Sequence, residues 1–140
     1  MIDDLFFVYG SLKSEEWNNY ILEDSVLIGP VVTKKEYFLT DCGFPYLIPA
    51  NSPESLVEAR TAPVYGELWY VPSKEVQASL DALEGVDAGH YERREITVVD
   101  MNGDEHYAEA YIPCEPEMAA RYPACPITSF LGKEVYAWKR

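Results

Sequence analysis

The segment from Val64 to Val71 constrains the fold of this chain most, because it predicts a strand with large side chains on both faces. Successive side chains of a strand point to opposite sides of the sheet, so a strand with one solvated face alternates apolar and polar residues. Leu68 and Trp69 are adjacent and therefore belong to opposite faces. A strand buried on both sides is typical of a small barrel with helices packed outside it.

Several other segments share the β-branched and aromatic composition of strands. The pair Asn102-Gly103 is a strong hairpin signal between two of them. Gly29-Pro30 interrupts two others. The predicted extended segments are 5–8, 26–28, 31–33, 37–40, 91–100 and 106–112. Residues 14–22 favour a short helix or an ordered loop, whereas the aromatic tail from Ile127 gives no clear pattern.

One clear helix is predicted from Ser73 to Glu84. Ser73 is a preferred N-cap residue, Val76, Leu80 and Leu83 repeat at helical spacing, and Gly85 suits a left-handed C-terminal residue. The elements do not alternate as in a doubly wound sheet. They predict an α+β fold in one domain over residues 1–140, with a small mixed or antiparallel barrel-like sheet and few peripheral helices.

The charge of the chain excludes two classes of partner. Its 140 residues carry a formal net charge of −13, whereas binding to nucleic acid or to anionic membranes needs a cationic surface. A hydrophobic content of 48% argues against disorder. We therefore expect a folded protein that binds neither nucleic acid nor a membrane.

The start of the chain and its cysteines indicate in which compartment of the cell we expect the protein. The start of the chain has no basic region followed by an apolar run, and no apolar stretch reaches the roughly 18 residues that a membrane span needs. Cys42, Cys114 and Cys125 are an odd number without close spacing, which favours neither a disulfide framework nor a zinc site. We expect a cytoplasmic protein with buried thiols and no metal or organic cofactor.

The turn after the first predicted strand is the first candidate site. The strand is broken at Gly10-Ser11, which leaves peptide N–H groups of residues 9–12 without ladder partners. Such groups bind anions or oxyanions. On its own, a glycine-serine pair after a strand indicates only a turn.

Three motifs in order give this turn a partner. They are Tyr9-Gly10-Ser11-Leu12, then Leu80-Asp81-Ala82-Leu83-Glu84-Gly85, then Tyr91-Glu92-Arg93. Together they resemble the gamma-glutamylcyclotransferase-like family, with its YG(S/T)L turn, L-D-x-x-E-G element and Y-x-R. Gly66-Glu67-Leu68 and Pro45-Tyr46-Leu47 also look like family elements. Lys13 is similar to the lysine of the gamma-glutamylamine cyclotransferase-like branch, whereas Ser14-Glu15-Glu16 departs from the family pattern.

The resemblance implies a catalytic role for Glu84 and substrate binding by Tyr9, Gly10, Ser11, Leu12 and Tyr91. It also implies a small γ-glutamyl substrate as the partner. A carboxylate in the last turn of a helix faces the negative end of the dipole, so we expect the pKa of Glu84 to be raised, and partial burial acts in the same direction.

Each candidate residue also has a structural interpretation. Glu84 could be a solvated helix end, and Tyr91 could only pack. Arg93 favours a structural ion pair, and Asp81 favours capping or local pairing. His90 and His106 are expected at the surface.

Two hypotheses follow for function. The first is a cyclotransferase that releases 5-oxoproline and an amine or amino acid from a γ-glutamyl amide. The second is a non-catalytic module on the same fold that binds a small molecule or a basic protein partner. Glu84 favours the enzyme, and the acidic surface favours the module.

Overall fold

The computed structural model describes residues 4–10, 12, 13, 16, 18–50, 60–115, 119 and 121–138. Its helices include a 3₁₀ helix at Asn19–Leu22 and α1 at Lys74–Glu84. The strands, in chain order, are β1 Leu5–Val8, β2 Val26–Thr33, β3 Tyr37–Asp41, β4 Pro45–Pro49, β5 Tyr65–Tyr70, β6 Tyr91–Asp100, β7 Glu105–Pro113, β8 Ile127–Phe130 and β9 Lys133–Tyr136.

Five strands close into a barrel in the order β1-β5-β2-β6-β7. The parallel contact of β1 with β7 closes it, and the other neighbours are antiparallel. Strands β3 and β4 form one separate ribbon, and β8 and β9 form another. The predicted α+β fold with a mixed, barrel-like sheet and few helices is confirmed.

Strands β1 and β5 are buried on both faces, as the sequence predicts for β5. Phe7 and Leu68 belong to the larger apolar cluster. Their neighbours Phe6 and Trp69 belong to a second cluster, which includes Leu80 of α1. The helix therefore packs on the outside of the barrel, over the strand that leads into the Tyr9–Leu12 turn.

Helix α1 and the β6–β7 hairpin also agree with the sequence. The Ser73 hydroxyl accepts a hydrogen bond from the N–H of Val76, so Ser73 is the N-cap. Gly103 has φ 87°, the left-handed backbone that an Asn-Gly hairpin turn requires. These local signals are sufficient because each depends on residues that are close in sequence.

Strand β2 differs from its prediction. It is continuous through Gly29-Pro30, and a register shift between Leu27 and Gly29 absorbs the irregularity. A bulge lets a strand accommodate glycine and proline without ending, because the neighbouring ladder resumes after the shift. The predicted interruption into two segments is therefore wrong.

The C-terminal tail is more ordered than its sequence indicates. Strands β8 and β9 pair from Ile127 with Tyr136 to Phe130 with Lys133. Trp138, which follows them, is buried in the larger apolar cluster.

The expectation of buried thiols is correct only for Cys125. Cys42 is half-buried and Cys114 is exposed. Burial raises the pKa of the Cys125 thiol to about 12, so this thiol stays protonated.

The first predicted helix or loop, residues 14–22, is only partly described. Its second half contains the 3₁₀ helix at Asn19–Leu22, while Ser14 and Glu15 lie outside the described residues. Within the part of the chain that the structure describes, no helix has both the length and the apolar composition needed to cross a membrane.

Candidate active site

A cavity of about 290 Å³ lies where three predicted motifs meet. Its lining includes five of the six residues that the sequence proposes for the site: Tyr9, Gly10, Leu12, Glu84 and Tyr91. Ser11, the sixth, lies outside the described residues. The volume is close to the lower end of the range for small-molecule sites, about 300–1,000 Å³. The fold therefore places the turn after β1, the end of α1 and the start of β6 on one small cavity.

Glu84 is the last residue of α1, and the local backbone fixes its position. Gly85 has φ 69°, and its N–H bonds to the carbonyl of Ala82 at 3.2 Å. The N–H of Val86 bonds to the carbonyl of Asp81 at 3.0 Å. This pair of bonds is the Schellman arrangement, which needs a residue in the left-handed region. Gly85 thus ends the helix immediately after Glu84 and leaves its side chain at the cavity.

The Glu84 carboxyl group is unusual in its environment. Burial raises its pKa to about 7, from an ordinary 4.5. In the described part of the chain, no hydrogen-bond donor or cation contacts the carboxylate to offset this effect. The raised pKa agrees in direction with the prediction from the sequence. A carboxyl group of this kind can accept and release a proton near neutral pH.

The Tyr9 side chain is part of the framework behind the cavity. Its hydroxyl donates a hydrogen bond to the carbonyl of Tyr111 at 2.6 Å and accepts one from the backbone N–H of Leu47. Burial and the nearby charge of Glu84 raise the pKa of Tyr9. Because both contacts join Tyr9 to other strands, its hydroxyl holds the turn in place.

Gly10 packs against Pro45 of β4. A Cβ atom on Gly10 would lie 2.8 Å from Cγ and 2.9 Å from Cδ of that proline. Any larger residue must therefore displace the proline ring from the cavity wall. The need for glycine here comes from this close approach, which the sequence did not indicate, and a Gly10 variant disturbs Pro45 as well as the turn.

The rest of the turn is held by hydrogen bonds. The N–H of Lys13 bonds to the carbonyl of Gly10 at 3.0 Å, and the Asn19 side chain donates to the carbonyl of Leu12 at 2.9 Å. The Lys13 ammonium donates to the carbonyl of Trp138 at 2.7 Å. Lys13 thereby joins the turn to the C-terminal tail.

Asp81 lies one helical turn before Glu84 and binds the barrel. Its Oδ1 atom accepts a hydrogen bond from the Tyr111 hydroxyl at 2.7 Å and lies 3.4 Å from Nε of Arg93. Arg93 also lies over the ring of Phe6, 5.4 Å from its centre. The predicted ion pair of Arg93 is present. Asp81 pairs with β6 and β7, and its predicted local capping is not observed.

Tyr111 connects the three motifs. Its carbonyl accepts from Tyr9 of the first motif, and its hydroxyl donates to Asp81 of the second. Asp81 in turn pairs with Arg93 of the third. Tyr111 also lines the cavity. It was missed because its contacts lie 102 and 30 residues away along the chain, and no local pattern reports such pairs.

Other residues on the cavity were also missed or assigned elsewhere. Tyr91 is buried there, and burial is the main cause that raises its pKa. His90 is exposed, as predicted, but it also lines the cavity. Phe44 and Leu83 complete the opening, and both are exposed. The sequence analysis assigned Leu83 to the apolar repeat of the helix, whereas Leu80 is buried and Leu83 is exposed at the cavity. His106 is half-buried and pairs with Asp100 at 2.8 Å, which corrects its predicted surface position.

Comparisons with known proteins agree with the family resemblance of the three sequence motifs. Residues 6–128 match the family described as "Gamma-glutamyl cyclotransferase, AIG2-like". A protein of Arabidopsis thaliana, named a candidate gamma-glutamylcyclotransferase, is 33% identical over 147 aligned positions, which cover 97% of this chain and 71% of that protein. A protein of Vibrio cholerae with a similar name is 40% identical over 83 positions, 59% of this chain and 63% of that protein.

The fold has a solved counterpart. The crystal structure of an AIG2-like protein of Mus musculus superposes with a TM-score of 0.70 at 21% identity. The match covers 86% of this chain and 84% of that one. This likeness concerns the fold, because the identity is low.

Proposed function

Because the chain belongs to the gamma-glutamyl cyclotransferase, AIG2-like family, we propose that it releases 5-oxoproline and an amine or amino acid from a γ-glutamyl amide. Glu84 is the proposed general acid and base. The observation that carries this proposal is the position of the Glu84 carboxyl group, half-buried at the cavity with a pKa of about 7.

The proposed reaction needs a protein group that transfers protons. It needs no protein nucleophile, because the substrate's own amine attacks the carbonyl. The α-amine of the γ-glutamyl group attacks its own side-chain carbonyl, a new C–N bond closes the five-membered ring, and the original amide C–N bond breaks. In the balanced reaction, two protons leave the attacking nitrogen and two reach the leaving amine. Because the attacking amine is tethered to the carbonyl, little of the entropic barrier remains.

Glu84 is suited to carry these protons. With a pKa of about 7, it is partly ionised at neutral pH and can first accept a proton from the ammonium group. The same carboxylic acid can then donate to the departing amine. General acid and base catalysis of this kind typically contributes about 10²–10⁴-fold in rate.

The turn at residues 10–12 is the proposed binding element for the substrate's anionic groups. Backbone N–H groups at this turn would hold the developing oxyanion, and loss of one such donor typically costs about 3–4 kcal/mol of transition-state stabilisation. Tyr9 would support the turn from behind through its bond to Tyr111. Tyr91 would provide a wall for the substrate.

The proposed substrate is an isopeptide-like γ-glutamyl amine, acted on in the cytoplasm. The sequence basis for this substrate is the position of Lys13. In the fold, the Lys13 ammonium binds the Trp138 carbonyl, so its proposed role is to hold the turn against the tail.

The test is a product assay with a panel of γ-glutamyl amino acids and γ-glutamyl amines. The native chain should form 5-oxoproline, and Glu84→Gln should reduce kcat at least about 100-fold while it still binds the substrate. Asp87→Asn, at an exposed carboxylate three residues after Glu84, is the matched control and should stay active.

Two results would contradict the proposal. A fully active Glu84→Gln variant would exclude Glu84 as the acid and base. Binding of γ-glutamyl compounds without turnover by the native chain would instead favour the second hypothesis, a binding module on the same fold.

A further inference from the structure

The opening of the cavity is lined by apolar side chains that face solvent. Phe44 is 48% exposed and Leu83 is 43% exposed, and both contribute to the cavity wall. By contrast, Val8 and Tyr111 on the inner wall are almost completely buried. Large apolar side chains that cluster at the opening of a cavity mark a surface that binds a ligand.

Aromatic packing extends this surface from solvent to the interior. Phe44 meets Tyr46 edge to face, with 5.5 Å between ring centres. Tyr46 stacks on Tyr91 at 5.8 Å, and Tyr122 lies 6.0 Å from Tyr46. Of these rings, Phe44 and Tyr91 line the cavity, and Tyr46, which is outside the lining, contacts both of them and fixes their positions. A rigid aromatic wall binds apolar groups with little loss of side-chain entropy.

The position of Glu84 defines which part of the substrate this wall meets. The leaving amine takes its proton from Glu84 in the proposed reaction, so its substituent begins within reach of that carboxyl group. Leu83, the preceding residue, lies on the outer side of the cavity. A substituent directed out of the cavity would therefore meet the exposed side chains of Leu83 and Phe44.

The charges around the cavity select against an acidic substituent. Among the described lining residues there is no lysine or arginine, and His90 is the one basic side chain. The nearby cations have other contacts: Lys13 binds the Trp138 carbonyl, and Arg93 pairs with Asp81. A carboxylate on the leaving group would lose water and approach Glu84 without a strong counter-charge.

We propose that Phe44, Leu83 and Tyr91 form a leaving-group subsite, in which Tyr46 holds the rings of Phe44 and Tyr91, and that this subsite selects γ-glutamyl amides of uncharged apolar amines. This inference rests on the proposed cyclotransfer and adds a substrate class to it. It narrows the broader group of γ-glutamyl amines and amino acids, and it disfavours those isopeptide-like amines whose leaving group carries a carboxylate.

The test compares four substrates by kcat/KM at fixed pH. They are the γ-glutamyl amides of ethylamine, phenethylamine, phenylalanine and 1,4-diaminobutane. The phenethylamide should exceed the ethylamide by about tenfold, the order expected for added apolar contact in a partly open subsite. It should exceed the phenylalanine compound, which differs only in a carboxylate, by a similar factor.

Two variants test whether Phe44 causes the preference for the phenethylamide over the ethylamide. Phe44→Ala should reduce the ratio of phenethylamide to ethylamide turnover to about two or less. Tyr107→Ala is the matched control, because Tyr107 is 47% exposed and lies on β7 outside the cavity lining. It should keep the native ratio. Thermal unfolding of both variants checks that the fold is unchanged.

The outcomes separate this inference from the proposed function. If no amide yields 5-oxoproline, the proposed function is wrong and the subsite assignment is wrong with it. If all four amides react but the ethylamide, the phenylalanine compound or the diamine compound is the best substrate, only the subsite assignment is overturned. Retention of the native ratio by Phe44→Ala would also overturn it.

Discussion

Two carboxylates on one face of helix α1 differ sharply in their surroundings. Asp81 accepts a hydrogen bond from Tyr111 at 2.7 Å and lies 3.4 Å from Arg93. Glu84, one helical turn later, has no donor or cation at its carboxylate among the described residues, and burial raises its pKa to about 7. The difference shows that helical spacing brings two carboxylates to the same face, whereas strand partners decide what each one does.

We propose different roles for the two carboxylates. Asp81 connects the helix to β6 and β7 and so fixes the turn of the helix that carries Glu84. Among the described residues, no contact compensates for the burial of Glu84, which is unfavourable for stability and typical of a group with a chemical role. Three measurements test this difference between Asp81 and Glu84.

The largest expected effect is a gain of stability in Glu84→Gln at high pH. The pKa is 4.5 in the ordinary state and about 7 in the fold, and one pKa unit corresponds to about 1.4 kcal/mol. The folded state binds the proton more tightly, so stability is complete below pH 4.5 and decreases as the pH rises to about 7. Neutral glutamine avoids this loss. The free energy of unfolding at pH 8 should rise by up to about 3 kcal/mol.

The same variant provides its own control at low pH. Denaturant unfolding at pH 4, where Glu84 is mostly protonated in both states, should show a difference of less than about 0.5 kcal/mol between the variant and the native chain. A Glu84→Gln variant that is less stable at pH 8 would contradict the raised pKa of this carboxyl group.

The second effect, opposite in sign, is a loss of stability in Asp81→Asn. Tyr111 would lose an anionic acceptor, and Arg93 would keep its charge without this partner. Hydrogen bonds to charged groups contribute about 1.5–3 kcal/mol, but both side chains of the ion pair are 32% exposed, so solvent reduces the effect. We expect a decrease of about 1–2 kcal/mol at pH 7.

The exposed Asp87 in the turn after the helix supplies the matched control. Asp87→Asn should change the free energy of unfolding by less than about 0.5 kcal/mol. If Asp81→Asn is as stable as this control, Asp81 does not hold the helix to the barrel.

The two carboxylates also show how much of the site could be predicted from the sequence. The helix, its Ser73 cap and its end at Gly85 depend on neighbouring residues, so they were predictable, and so was the shared face of Asp81 and Glu84. The residues that contact Asp81 and Gly10 in the fold were not predictable. Tyr111 lies 30 residues from Asp81, and Pro45 approaches Gly10 only in the folded chain.

The other residues around the cavity are positioned by strand pairing and by contacts between residues that are far apart in sequence. Tyr46 reaches Tyr91 from a separate ribbon. The tail covers the core through Trp138, whose backbone carbonyl binds Lys13. Neither contact leaves a periodic pattern, because each depends on how two distant strands are placed in three dimensions. The sequence therefore identified the residues of the turn and the helix end but missed the outer wall.

The smallest expected effect concerns the pH at which turnover begins. A general base works in its ionised form, so kcat/KM should rise with pH through an apparent pKa near 7, that of Glu84 in the free protein. Burial raises this pKa, and the charge of Asp81 is not among its causes. Asp81→Asn should therefore shift the acidic limb by less than about 0.5 pH unit, even though it weakens the fold.

Profiles of kcat/KM from pH 5 to 8.5 for the native chain and for Asp81→Asn provide the measurement. A limb below pH 5 in the native chain would mean that the essential carboxylate is an ordinary solvated one. A shift of more than one unit in Asp81→Asn would mean that the two carboxylates interact through charge or that the helix end has moved. An unchanged limb with a lower free energy of unfolding separates the two roles, because stability then depends on Asp81 while the proton affinity of the site depends on the burial of Glu84.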